Sequence, residues 1–599
     1  MSDLEVVRVQ EPRVQLNNRR KWCALTGGQT VTQYQVPATS FSTSQISWTI
    51  VPPSKSSILD RKILMAWNVH LELTGTTSYL QPPDVPLATN LLFDGNWSFR
   101  AHPIQRMISS LAVAINGNTV SMEPYIVIDA MERVHDPIQF ELGYNSVGPN
   151  FTDKYANYSD GAVSNNDPLG AYYDSAPSDP RGAYNVTVSD NSPTGAKIDA
   201  TIYEYIMLPP LISGSDADGN IREHGGLTHL DTFTISATLI NQQARILSIS
   251  DPTFTLGFGT TLTNAVLSFN TSPMILATWI TPRLTEPIPP SITYPYFQIN
   301  RYTQSAGNLS RLGGGSDTGT FSSQVISLNS IPLKMYIYCK RSQGFTLGTP
   351  STASGLTDTF CAINSVSLSF NNISGLLSGA SQMQLYQMSV DNGLNMSWNQ
   401  FSGITQRVAA INDEDSTRYG TVGSVLVIDP SRDLGLKDGE SPGSLGQYLL
   451  QVTSMNVTNI DRVTDVSVVH VPFEITIVCV FDGLLSVSNN SGTTIIGNAS
   501  RADVLNAPVS DMDYNEITSV YGGGSFFSKL GDVAKGVNDF LRGSQVISKG
   551  LQAVDHPVAK TIGRVAHSLG YGDAGLEAGV VCGGREMSHE RMRRRLGLM

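Results

Sequence analysis

The sequence predicts an all-β protein built from two β-sandwich domains in tandem. Short runs rich in Val, Ile, Thr, Phe and Tyr alternate with clusters of Gly, Pro, Asn and Asp, which is typical of sandwiches and barrels. These runs recur in the same order twice along the chain, and a proline-rich segment separates the two copies. A chain of 599 residues also exceeds what one hydrophobic core normally supports.

The individual strands are predicted from runs of β-branched and aromatic residues with alternating polarity. Two other segments, 124–134 and 383–392, fit a helix or a strand equally well. The clearest strand runs are QISWTI (45–50), ILMAWNVHLEL (63–73), FTISATLI (233–240), LKMYIY (333–338) and FEITIVCV (473–480).

The internal repeat depends on four pairs of segments that occur in the same order in both halves. Any one pair carries little weight because strands share a small alphabet, but an ordered set of four indicates duplicated domains. The pairs are FSTSQISW from Phe41 with FSSQVISL from Phe321, LAVAINGNTVS from Leu111 with VSLSFNNISGLLS from Val366, YEYIMLPP from Tyr203 with GSVLVIDP from Gly423, and VLSFNTSPMILATWI from Val266 with FEITIVCVFDGLLSV from Phe473.

The prolines between the two halves cannot donate to a strand ladder, so they indicate a domain junction. Two polar stretches, 143–191 and 347–359, are expected to be long surface loops. The predicted organisation is an N-terminal arm (1–20), a first domain (21–281), a junction (282–290), a second domain (291–509) and a C-terminal tail (510–599).

Composition limits the classes of function. The net charge of −12 argues against a nucleic-acid binder as a whole, although residues 526–599 carry 11 Lys and Arg against 7 Asp and Glu. The five scattered cysteines predict neither a disulfide framework nor a zinc site. The charged N-terminus does not resemble a signal peptide, and no apolar run is long enough for a transmembrane helix.

Three segments resemble the double jelly-roll major capsid proteins of DNA viruses, especially those of virophages, polinton-like viruses and adintoviruses. They are PIPPSITYPYFQINRY (287–302), SLSFNNISGLLSGASQMQLYQMSVDNG (367–393) and GSVLVIDPSRDLGL (423–436). The resemblance extends over most of the chain, and it implies that each sandwich is a jelly roll.

The resemblance further implies a structural subunit of the virion capsid. It implies a homotrimer whose six jelly rolls form a pseudo-hexagonal capsomer, and many capsomers, with penton or minor capsid proteins, would close an icosahedral shell inside the host cell. A small-molecule substrate is not expected.

No motif for catalysis, a cofactor or a metal withstands scrutiny, so an enzyme is not predicted. Gly439 to Gly443 (GESPG) matches a nucleophile elbow, but Pro442 cannot donate to an oxyanion hole. The string GYGDAG from Gly570 follows no strand. The calcium-like opening at Asp216 and the pair His224 and His229 lack the remaining ligands.

The tail contains the most specific signal. Its apolar residues recur every three or four positions, which predicts an amphipathic helix. That helix could bind an anionic membrane of the host, or it could dock under the capsid floor or against an adjacent subunit. The residues of this possible membrane-active or docking helix are Phe526, Phe527, Leu530, Val533, Val537, Phe540 and Leu541.

Two sequences of the form apolar-x-Gly-Gly flank this helix and resemble the sites cut by adenovirus-type cysteine maturation proteases. They predict possible cleavage between Gly523 and Gly524 and between Gly584 and Arg585, although both could be flexible linkers. Four terminal arginines could contact the packaged genome or form a solvated end. These are Arg591, Arg593, Arg594 and Arg595.

The main alternative function is a secreted or cell-surface adhesin that binds glycans through its long loops. The absence of a recognisable signal peptide and the basic tail count against it. A β-sandwich hydrolase is a second alternative, but the sequence offers it no convincing nucleophile or metal set.

Overall fold

Strands and helices are numbered β1 to β26 and α1 to α5 in chain order. In a computed structural model of the chain, the described residues are 30–79, 90–92, 97–99, 102–131, 133–134, 185–208, 211, 226–241, 246–249, 258–282, 290–310, 317–342, 360–407, 417–420, 423–437, 439–460, 471–488, 491–496, 500, 502 and 505. They form two sandwiches, called here the first roll and the second roll.

The first roll packs two antiparallel sheets face to face. Its first sheet has the order β1 (Thr30–Pro37), β14 (Met274–Thr281), β5 (Leu64–Tyr79), β10 (Gly195–Tyr205) and β9 (Asn185–Asn191), with β13 (Phe258–Phe269) and β4 (Ile58–Leu59) attached. Its second sheet has the order β2 (Ser40–Phe41), β3 (Gln45–Ile50), β11 (Phe233–Leu239), β7 (Ile108–Ile115) and β8 (Asn118–Met122), and β6 (Trp97–Phe99) pairs with β12 (Leu247–Ile249).

The second roll has the same arrangement. Its first sheet has the order β15 (Ser291–Leu309), β25 (Val471–Ser488), β18 (Lys334–Arg341) and β23 (Leu426–Ile428), with β26 (Ser491–Ile496) on β25. Its second sheet contains β16 (Thr318–Phe321), β17 (Ile326–Ser330), β24 (Leu445–Thr458), β19 (Ala362–Phe370) and β20 (Ile373–Leu376), and β21 (Ile404–Arg407) pairs with β22 (Thr417–Gly420).

The central strands pair in the same order in the two rolls. In each first sheet, a strand from late in the roll lies between the first strand and an earlier strand, so β1, β14, β5 and β10 match β15, β25, β18 and β23. In the second sheets β3, β11, β7 and β8 match β17, β24, β19 and β20, although β2 pairs with β3 whereas β16 pairs with β24. The prediction of two tandem jelly rolls is therefore confirmed, and the four sequence pairs fall on equivalent strands.

Alternating burial along the strands explains why the polarity pattern predicted them. In β10 every second side chain is buried, and β3 shows the same period of two. Trp48 and Trp67 stack between the sheets with ring centroids 6.5 Å apart. The indole of Trp48 donates to the carbonyl of Pro273 at 3.1 Å, which satisfies its polar atom in the core.

Within the described residues, five helices connect the strands, and both ambiguous segments fall on helices. The segment 124–134 contains α2, and the segment 383–392 overlaps α3. One expectation was wrong: the polar stretch 143–191 is not entirely a loop, because its last seven residues form β9. The helices are α1 (Pro103–Met107), α2 (Pro124–Met131), α3 (Gln382–Asp391), α4 (Trp398–Ser402) and α5 (Pro430–Asp433).

A buried carboxylate holds the start of α1. His102, the residue before the helix, provides no side-chain cap. The carboxyl oxygens of Glu204 on β10 instead accept from the backbone N–H groups of Ile104 at 2.7 Å and Gln105 at 3.0 Å. Burial raises the pKa of Glu204 to about 8, outweighing these hydrogen bonds and the charge of Arg106.

Replacing Glu204 with Gln is expected to flatten the dependence of stability on pH. The native state holds the proton to a higher pH than the unfolded chain, so this stabilisation is complete below about pH 4.5 and is lost as the pH rises towards 8. From about pH 5 to pH 8 the wild-type free energy of unfolding should fall by roughly 2 kcal/mol or more relative to the variant. Denaturant titrations across this range would measure it, and equal slopes would contradict the raised pKa.

Candidate functional site

The seam between the two rolls is the most extensively built site in the described part of the chain. One continuous cluster of buried hydrophobic residues includes members of both rolls. The first roll contributes β8, α2 and neighbouring loops, and the second roll contributes β15, β18, β26 and Phe360 just before β19. The seam has two parts, named here the aromatic clamp and the hairpin contact.

The aromatic clamp consists of Arg133, Phe360 and Tyr338. The guanidinium carbon of Arg133, from the first roll, lies 3.9 Å from the ring centroid of Phe360 in the second roll. Phe360 in turn stacks on Tyr338 with centroids 4.7 Å apart and planes 8° apart. The hydroxyl of Tyr338 donates back to the carbonyl of Ile126 in α2 at 2.9 Å. The clamp therefore joins the rolls at both ends of one stack.

Burial makes the clamp strong. Arg133 is only 3 % exposed, and Phe360 and Tyr338 are fully buried. A cation over an aromatic face contributes about 2 kcal/mol when it is desolvated. Asn395 adds a backbone hydrogen bond from the second roll to the carbonyl of Arg133 at 2.8 Å.

A glycine fixes the position of Phe360. Gly423 has a φ of 81°, which L side chains rarely adopt, and a Cβ at this position would collide with the carbonyl oxygen of Phe360. The chain can approach Phe360 this closely only without a side chain. The sequence GSVLVIDP therefore begins with a residue that the clamp requires.

The hairpin contact is centred on Asn116, at the turn between β7 and β8. Asn116 has a φ of 47°, and its side-chain oxygen accepts from the backbone N–H groups of Asp231 at 2.8 Å and Thr232 at 3.2 Å. Its side-chain nitrogen donates to the carbonyl of His229 at 2.7 Å and, across the seam, to the carbonyl of Ser488 at 3.1 Å. The turn therefore binds the carboxyl end of β25.

Tyr294 of β15 extends the hairpin contact. Its hydroxyl donates to the carbonyl of Gly226 at 2.9 Å and accepts from the N–H of Thr228 at 3.2 Å, both in the first roll. The guanidinium of Arg61 lies 5.7 Å from its ring centroid. Burial raises the pKa of the Tyr294 hydroxyl, so it stays a neutral donor. Tyr294 of the second roll therefore packs between the two rolls.

A cavity of about 440 Å³ opens between β15 and the segment 323–327, above Ile475 and Ile477. Its charged lining residue, Arg301, is already paired with Glu123 and Thr303. Hydroxyl and amide groups supply the rest of its polarity, so this cavity offers no nucleophile paired with a base. Within the described residues, no three His, Cys, Asp or Glu side chains are placed to hold a metal.

Comparisons with known proteins show to which family the chain belongs. Residues 2–208 match the family model described as the Sputnik virophage major capsid protein first domain, and residues 299–483 match the major capsid protein V20 C-terminal domain. The putative capsid protein V20 of Sputnik virophage is 37 % identical over 99 % of this chain and 98 % of its own length. The chain belongs to the virophage major capsid protein family.

Solved structures agree with this assignment. The cryo-EM structure of the Sputnik virophage contains a chain that is 37 % identical, with a TM-score of 0.73, over 87 % of this capsid protein and 99 % of that chain. The mavirus major capsid protein has the same fold at 18 % identity, with a TM-score of 0.64, over 86 % of this chain and 100 % of its own.

The capsid protein is therefore a structural component of the virion. The expectation that it is not an enzyme is confirmed by its relatives, which are structural proteins. In this role the seam makes one building block from two rolls. Among the described helices, none is long and apolar enough to cross a membrane.

The residues that the sequence assigned to cleavage, membrane binding and genome contact lie outside the described residues. Arg133, Phe360 and Asn116, in contrast, were not singled out from the sequence. An Asn-Gly pair between two apolar runs is a strong hairpin signal and could have located Asn116. No local signal marks Arg133 and Phe360, because their roles arise only when the rolls meet.

Replacing Phe360 with Ala is expected to lower the free energy of unfolding by about 3 to 5 kcal/mol and to uncouple the rolls. Scanning calorimetry should show one transition in the wild type and two in the variant, because the clamp carries the coupling. Phe370 to Ala is the matched control, since Phe370 also stacks on a tyrosine, Tyr448, but within the second roll. A single transition in both variants would contradict a coupling role for the clamp.

Proposed function

We propose that three copies of this capsid protein form a pseudo-hexagonal capsomer, and that many capsomers close into an icosahedral shell. The observation that carries the proposal is the head-to-tail seam between two rolls with the same strand order. Neighbouring capsomers and penton or minor capsid proteins are then the partners. A small-molecule substrate has no place in this function.

The seam joins different flanks of the two rolls. The flank of β8 and α2 in the first roll binds the flank of β15 and β25 in the second roll. A contact between unlike flanks is heterologous, and repeating it generates a closed ring if the rotation closes. Six equivalent rolls, two from each chain, would give such a ring with three copies.

The two flanks that take no part in the seam within one chain support this arrangement. On β1 of the first roll, Val31 is 60 % exposed and Tyr34 is 42 % exposed. On α3 of the second roll, Met383 is 46 % exposed. Apolar groups at the two unused flanks fit surfaces that a neighbouring copy covers.

Analytical ultracentrifugation of the purified full chain is expected to give a species of three times the chain mass of 64.6 kDa. Negative-stain images should show particles with a hexagonal outline, because six similar rolls alternate around the ring. A stable monomer that binds sugars would instead support the adhesin.

For the tail we propose cleavage by a viral cysteine maturation protease after Gly523 and after Gly584. Release of the segment that contains the amphipathic helix would then supply a membrane-active peptide during entry. Support comes from the Gly-Gly sequences at both ends of that segment and from its apolar periodicity. While the tail is attached, docking under the capsid floor or against an adjacent subunit is the alternative role.

The terminal arginines are proposed to contact the packaged genome. Their clustering at the basic end of an otherwise acidic chain supports this, because phosphate neutralisation depends on local Lys and Arg density.

Mass spectrometry of purified particles is expected to show chains ending at Gly523, with a separate peptide ending at Gly584. Replacing Gly523 and Gly524 with Val should block the first cut and leave the second, since side chains do not fit a cleft that accepts an extended glycine strand. Intact chains ending at Met599 in wild-type particles would contradict cleavage.

A further inference from the structure

We infer that the β19–β20 hairpin of one copy binds the carboxyl end of β14 in a second copy, as the β7–β8 hairpin binds β25 within the chain. This inference rests on the proposed trimer and names its contact. The donor is the side-chain amide of Asn371, at the tip of the β19–β20 hairpin.

The two hairpins have the same register at their turns, although the β19–β20 ladder shifts between Leu368 and Phe370. In the first roll, Ile115 pairs with Asn118 around a two-residue turn that begins at Asn116. In the second roll, Phe370 pairs with Ile373 around a two-residue turn that begins at Asn371. Each strand β7 and β19 also pairs with the equivalent strand, β11 or β24.

The two asparagines share their conformation and their local bonds. Asn371 has a φ of 52°, close to the 47° of Asn116. The side-chain oxygen of Asn371 accepts from the N–H of Leu449 at 2.9 Å, and its own N–H donates to the carbonyl of Leu449 at 2.8 Å. For Asn116 the partner is Thr232. The N–H of Thr232 donates to the side-chain oxygen of Asn116 at 3.2 Å, and the carbonyl of Thr232 accepts from the N–H of Asn116 at 2.9 Å.

The asparagines differ in the partner of the side-chain nitrogen. In Asn116 it donates to the carbonyl of Ser488 in the other roll at 3.1 Å. For Asn371 the described residues of the same chain provide no acceptor, although the side chain is already held in place by Leu449. Its amide is therefore oriented for an acceptor that another copy can supply.

The matching acceptor region lies at the end of β14. In the first roll β14 occupies the position that β25 occupies in the second, and its last residue, Thr281, pairs with Thr30 at the start of β1. Beside it, β1 is largely exposed, whereas its counterpart β15 buries Tyr294, Tyr296 and Phe297. The first roll therefore leaves open the flank that the second roll has filled.

The helices after the two hairpins show the same difference. In α2 the side chains from Pro124 to Ile128 are all buried, and the carbonyl of Ile126 accepts from the second roll. In α3 only Leu385 and Ser389 are buried, and Met383 is exposed. A contact like the seam would form if α3 packed against a first roll. A second copy of the chain supplies such a roll.

The test compares trimer stability between Asn371 to Asp and the wild type. Aspartate keeps the oxygen that accepts from Leu449 and tolerates a positive φ, but an ionised carboxylate has no donor and repels a carbonyl. In sedimentation equilibrium the dissociation constant of the trimer should rise at least about tenfold. Asn308 to Asp, on an exposed residue of β15, adds the same charge and should leave the trimer unchanged.

Asn116 to Asp provides the internal reference. It removes the equivalent donor inside the chain, so it should lower the unfolding temperature of the chain. Asn371 to Asp should leave the unfolding temperature of the dissociated chain close to the wild-type value.

A cysteine pair tests the contact without relying on Asn371 itself. With Asn372 and Thr281 both replaced by Cys, a short thiol-reactive cross-linker should join copies into dimers and trimers, and either single variant should not. The inference would be overturned if the folded Asn371 to Asp variant formed trimers as stable as the wild type, or if the cysteine pair gave no cross-linking within the trimer. Either result would leave the proposed trimer unaffected. A wild-type chain that forms no trimer would overturn both, whereas cross-linking only to a minor capsid protein would assign this flank to another partner.

Discussion

The fold depends most on how a buried cation is accommodated between the two rolls. Arg133 is almost inaccessible to water, and its guanidinium lies against the ring face of Phe360, whose quadrupole attracts the charge. This contact is made only when the first roll meets the second in one orientation. Apolar surfaces alone would allow one roll to slide over the other. The stack of Arg133, Phe360 and Tyr338 prevents this, because the hydroxyl of Tyr338 must also reach the carbonyl of Ile126.

The same physics explains what the sequence could and could not predict. Strands such as β10 are buried on one side only, so their pattern is visible in the chain itself. Helix α2 is buried nearly all round, which removes the polar face that would distinguish it from a core strand. Helix α3 could have been recognised, because Ser381 and Gln384 form a capping box. The clamp could not, because it joins residues that are far apart in the chain.

The two rolls share their hairpin turns but differ at their flanks. Both rolls keep an Asn turn bonded to the neighbouring strand, which is a local requirement of the hairpin. The flanks that carry α2 and α3 have diverged, since α2 is buried in the seam and α3 is mostly exposed. A residue's environment is therefore set by which roll it faces and not by its place in the repeat. For this reason, the four pairs of similar segments in the two halves located the strands but gave no information about the seam.

The contacts at the seam also determine how strongly it depends on ionic strength. Among the described residues, the ion pair across the seam is that of Glu123 with Arg301, whose side chains are 38 % and 25 % exposed. Pairs of this kind contribute little and are screened by salt. The remaining contacts are buried aromatic stacking, the cation–π contacts of the buried Arg133 and Arg61, and hydrogen bonds to backbone groups, all of which salt screens much less. Charged residues make up only 15 % of the chain, so a seam with few ion pairs matches the composition of the whole protein. A building block held together in this way keeps its shape across ionic strengths that would weaken a contact made of surface ion pairs.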